Sequence, residues 1–202
     1  MLRKFGAGIG GGVASTLIAV AVATWLLRRH GQRWSALGVV RPASLRVAAV
    51  WTVGLTVADV LVVPLAISIL ADALRMPTQH LEAFAGLRGN LLRYLVLLVP
   101  VSWGAAAFGE ELLFRGFLAR RLTEAFGGTA RAEVLANVIQ AALFALGHAY
   151  LGPRGVLNAG ALGLLAGWCY RANGRNLWPL FIAHGLVDSV GMTVLFLGLQ
   201  HA

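Results

Sequence analysis

Residues 91–118 read LLRYLVLLVPVSWGAAAFGEELLFRGFL, an apolar run long enough to cross a bilayer as a helix. Glu110, Glu111 and Arg115 are set inside that run. A charged side chain at the centre of an inserted helix costs about 2.5–3.5 kcal/mol and is functional by default. Five further apolar runs lie outward from this one, at residues 5–27, 47–71, 134–151, 156–170 and 177–199. The pattern predicts an all-α fold, a polytopic transmembrane helical bundle of about six spans. Polar connections separate the runs: a basic loop 28–46, a charged tip 120–133 turning at Gly127 and Gly128, and a polar turn 171–176. Segment 72–90 is mixed and reads as a re-entrant or surface stretch. Residues 1–90 form an N-terminal two-span region and residues 91–202 a helical core, together one integral membrane unit.

Composition supports lipid as the solvent. Of 202 residues 58% are hydrophobic and 12% charged, where a soluble domain carries about 25% charged residues. The net charge of +9 comes from 16 Arg and one Lys against eight acids. These basic residues lie between apolar runs and not on one polar face, which argues against nucleic acid as a partner and for membrane orientation. Ten Arg fall in loop 28–46, tip 120–131 and turn 171–175, whereas Arg3, Lys4, Arg75, Arg88, Arg93 and Arg154 fall on the other side. The tally puts the first group in the cytoplasm and both termini outside. Abundant Ala, Gly and Arg beside a single Lys is a usage associated with GC-rich bacterial genes, and points to a bacterial inner membrane. Cys169 stands alone in an apolar run and reads as a small buried hydrophobe. Residues 5–27 exceed the length of a cleavable signal core and read as a retained first span. Glycines 6, 8, 10, 11 and 12 are expected to be close-packing positions, His80 and His201 ordinary residues of the outside, and Asp59 has no assignable neighbour.

In the second half the costly residues form three groups, Glu110–Arg115, Phe144–His148 and His184–Asp188. Glu111 and Arg115, four apart, face one another on a helix and neutralise each other in place. Glu110, about 100° away, keeps no such partner. Glu110 and His148 are each 19 residues from Thr129, so an antiparallel pair of helices turning there puts them at one level. Glu110 then lies roughly 15 Å inside the tip's interface and His184 about 12 Å past Asn176. A carboxylate and two imidazoles from three spans meet at similar depth, a constellation suited to moving protons.

The three motifs, EExxxR at Glu110–Arg115, FxxxH at Phe144–His148 and HxxxD at His184–Asp188, resemble those of the CAAX-protease and bacteriocin-processing family (CPBP or ABI). This is a family of intramembrane glutamic endopeptidases. The approach Arg175-Asn176-Leu177-Trp178-Pro179 is similar too, and the likeness covers residues 91–199. The resemblance implies that Glu110 and His148 activate a water and that His184 stabilises the oxyanion. Asp188 replaces the commoner Asn; a carboxylate donates no hydrogen bond unless protonated, so it is expected to orient His184 or carry a proton. Glu111, Arg115 and Phe144 are expected to support the site.

These readings predict an intramembrane endopeptidase whose partners are the lipid bilayer and a leader-type or membrane-anchored peptide. Its site is expected to open toward the cytoplasm. No cofactor is called for. A zinc peptidase is the weaker variant, because no HExxH occurs. The competing class is a non-catalytic immunity or scaffold protein that retains the polar cluster.

Overall fold

The computed structural model describes residues 2–199, with side chains from Gly11 onward; His201 and the surroundings of glycines 6, 8 and 10 lie outside these. Six long helices occur among the described residues, and no strand. They are α1 (Leu2–Arg29), α2 (Leu45–Ala73), α3 (Leu91–Ala125), α4 (Ala130–Gly147), α5 (Gly152–Ala172) and α6 (Trp178–Leu197). All but α5 hold a segment long and apolar enough to cross a membrane. α5 misses on composition, since it spends its 21 residues on several glycines, Arg154 and Asn158. The expected all-helical membrane bundle is therefore present, with each helix where the apolar runs lie.

Two helices depart from regular α geometry. α2 contains a π turn at Ala58–Val62. α3 is wound as a π-helix over Leu97–Leu118, where Pro100 withholds an N–H and Ala119 N–H bonds Phe114 O. A wider turn advances each residue by less than the 100° expected from the sequence. The side chains of Glu110 and Glu111 thus diverge less than an α-helix would make them. α3 also runs past residue 118, which shortens the tip to 126–129. Gly127 and Gly128 turn it with φ of 91° and 69°, and Thr129 caps α4 by accepting from Ala132 N–H at 3.2 Å.

Small residues let the helices approach. A Cβ at Gly109 would meet Thr16 of α1 at 2.7 Å, one at Gly163 would meet Ala141 of α4 at 3.2 Å, and one at Gly185 would meet the Trp103 ring at 2.5 Å. A Cβ at Gly11 or Gly12 would meet no atom within 4 Å, so these two make no such close approach, which among the described residues is made by glycines of α3, α5 and α6.

The two ends of the bundle are tied separately. At the Arg-rich end Glu133 pairs with Arg171 at 2.8 Å and with Arg175, and Leu177 N–H bonds Gly38 O at 3.0 Å. At the other end segment 74–90 crosses to the α4–α5 junction. His80 N–H bonds Leu151 O at 3.0 Å there, and Arg154 pairs with Asp72 at 2.5 Å.

The Gly185–Trp103 approach makes a test. Gly185→Ala drives a Cβ into a rigid indole already fixed by its N–H bond to Ser189 Oγ at 3.0 Å. We expect a loss of about 1–3 kcal/mol, read as a lower melting temperature in detergent. Gly54→Ala, with nothing within 4 Å, should leave the melt unmoved; equal melts for the two variants refute this packing.

Candidate active site

α4 ends at His148, which has left helical geometry with φ −98° and ψ 14°. The last turn of a helix leaves carbonyls without partners, and the FxxxH spacing lets the His148 ring answer one. His148 Nδ1 lies 2.8 Å from Phe144 O. A carbonyl only accepts, so Nδ1 carries the hydrogen and Nε2 of the neutral ring is left with its lone pair.

The Phe144 ring is the hub of the aromatic packing. It meets Phe114 edge-on at 5.2 Å, His148 at 4.6 Å and His184 at 6.4 Å. The Arg115 guanidinium sits 4.4 Å above it, a cation–π contact between two buried side chains.

Arg115 and Glu111 are almost wholly buried, at 1% and 2% exposure. Glu111 Oε1 accepts from Arg115 Nη1 at 2.9 Å, as the four-residue spacing predicts. The same oxygen lies 2.9 Å from His184 Nδ1, which the sequence did not reveal. A carboxylate on Nδ1 fixes the ring's orientation and turns Nε2 outward, 3.8 Å from Asp188 Oδ1. Glu111 holds the His184 ring at Nδ1, and Asp188, expected to orient that ring or carry a proton, stands at the opposite nitrogen. Glu110 Oε2 is buried and has no hydrogen-bond partner, and the same holds for Glu111 Oε2, the oxygen of Glu111 that faces neither Arg115 nor His184.

All seven residues line one cavity of about 620 Å³. It is bounded by all six helices and by segment 74–90, and α1 and α2 contribute Thr16, Leu55 and Asp59. Toward the bundle end its walls are Gln79, Leu81, Phe84, Tyr150 and Leu151. No loop of the Arg-rich end takes part.

Asp59, Ser102 and Asn158 are among the polar wall residues not identified as site residues from the sequence. Asp59 was visible as an acid in an apolar run, but only the packing of α2 tells which neighbours it faces. Among the described residues no three His, Cys, Asp or Glu side chains are grouped to hold a metal ion.

A family model described as type II CAAX prenyl endopeptidase Rce1-like matches residues 92–190. The matched segment starts in α3, ends in α6 and contains every residue of the three motifs. No curated protein and no solved structure matches the chain.

The two adjacent glutamates should differ in what they do for stability. Glu111→Ala strands a buried guanidinium and should cost about 3–5 kcal/mol. Glu110→Gln breaks no bond and should change stability by less than about 1 kcal/mol. Denaturation of both variants in detergent micelles checks the contrast, and similar losses would contradict the bonding described.

Proposed function

We propose, from the chain's membership over residues 92–190 in the CAAX-protease and bacteriocin-processing family, that this intramembrane protease cuts by a glutamate-activated water. Family and fold make it a membrane protease acting on a membrane-associated peptide or protein. What carries the finer reading is one observation: a buried Glu110 oxygen without a partner shares a cavity with the His148 ring, whose Nε2 is left as an acceptor.

The chemistry follows from those two atoms. A water between Glu110 and His148 Nε2 gives up a proton as it attacks the scissile carbonyl. The carbonyl oxygen becomes an oxyanion, and His184 Nε2 is the donor available to it. Donation from Nε2 while Nδ1 donates to Glu111 requires a ring protonated at both nitrogens, which Glu111 and Asp188 flank. The Glu110–His148 pair takes the water proton and passes it to the amine nitrogen as the oxyanion collapses and the C–N bond breaks, which restores the pair as a base. Glu111 and Arg115 position His184, and Phe144 fixes both imidazoles. The substrate class we favour is a leader-type or membrane-anchored peptide at a bacterial inner membrane.

Orientation follows from the cavity's position. The Arg tally supports the Arg-rich end as cytoplasmic, yet the cavity extends toward the end carrying segment 74–90. An opening at that end conflicts with a cytoplasmic site if the Arg-rich end is cytoplasmic. Labelling single cysteines introduced at His80 and Arg131 from each side of the membrane tells which of the two holds.

Cleavage by purified protein tests the mechanism. Glu110→Gln and His148→Ala should each lower kcat by about 10²–10⁴-fold while folding is kept, and metal analysis of the active wild-type protein should find no stoichiometric zinc. Full activity in Glu110→Gln would end the glutamate mechanism, and a phenotype in cells that survives this variant would favour a scaffold.

A further inference from the structure

Asp59 has no role in the hydrolysis just described, yet it is built into the same cavity. It lies in the π turn of α2, is 8% exposed, and lines the wall with its Oδ1 lacking any hydrogen-bond partner. π turns interrupt α-helices often at functional positions. The charged groups around Asp59 do not satisfy it. Glu111 is like-charged, Arg115 is bonded to Glu111, and His184 is held between Glu111 and Asp188.

The cavity as a whole repeats this imbalance. Asp59, Glu110, Glu111 and Asp188 face it from α2, α3 and α6, against two cations of the wall, the Arg115 guanidinium and the His184 imidazolium of the mechanism above. The remaining wall is largely apolar, so these charges interact strongly and water screens them little. A ligand that brings a positive charge relieves the excess, whereas an acidic one adds to it. The chain's own net charge of +9 works against attracting cations, so any preference for them has to arise inside the cavity.

We propose that the cavity selects peptides bearing a lysine or arginine beside the bond to be cut, with Asp59 as the carboxylate that receives the cationic side chain. As a statement about substrates this rests on the protease reading; as a statement about binding it does not. Asp59 is a specificity residue here, on a helix outside the family match.

The test uses the purified full chain and fluorogenic peptide mixtures in which each position in turn is lysine, its uncharged isostere norleucine, or ε-acetyl-lysine. At one position near the cut, lysine should raise kcat/KM about tenfold over either neutral residue, a difference of about 1.4 kcal/mol. Asp59→Asn should bring that ratio close to one, and Asp59→Glu should retain most of it. Binding of the same peptides to Glu110→Gln protein, read by fluorescence anisotropy, should show the same order. Equal binding and cleavage of lysine and norleucine peptides by wild-type protein overturns the proposal. A preference that persists in Asp59→Asn overturns the assignment to Asp59. Preferential binding without any cleavage leaves the inference standing and removes the protease reading; cleavage without charge preference does the reverse.

Discussion

One oxygen atom organises this molecule. Glu111 Oε1 holds Arg115 on one side and His184 on the other, each at 2.9 Å, joining α3 to α6 in the middle of the bundle. A guanidinium without an anion could hardly remain there, since burying an unpaired ion costs several kcal/mol. Once paired, it supports the Phe144 ring from above, and that ring in turn sets both imidazoles. Structure and chemistry thus share a single charge pair, and Glu110 is left free because its neighbour has taken the structural load.

The helices and the three polar groups were legible in the sequence for simple reasons. Apolar runs of bilayer length admit few alternatives, and ionisable residues inside them are rare enough to be noticed. The depth argument put Glu110 and His148 at one level by equal residue counts about Thr129, and both residues line the one cavity. What the sequence could not show was pairing across helices. The four-residue spacing of His184 and Asp188 suggested a local partner, but the closer carboxylate, Glu111, comes from α3. The angular separation of Glu110 and Glu111 was misjudged for a related reason, since the π winding of α3 has no marker in the sequence beyond Pro100.

The N-terminal helices show the same limit from another side. Nothing in residues 2–73 lies within the family match, and the glycines of α1 suggested only packing. Yet α1 supplies Thr16 and α2 supplies Leu55 and Asp59 to the cavity wall. The three motifs come from α3, α4 and α6, while part of the cavity wall around them comes from helices outside the family match.

His148 has a consequence for how the molecule tolerates heat. Its ring is held by the Phe144 carbonyl at the last turn of α4, and helix ends fray before helix centres do. Unwinding that single turn would release the imidazole and swing its Nε2 away from Glu110, while the buried pair at Glu111 still kept the bundle assembled. Loss of turnover on warming would then be reversible and would set in below the temperature at which the chain unfolds.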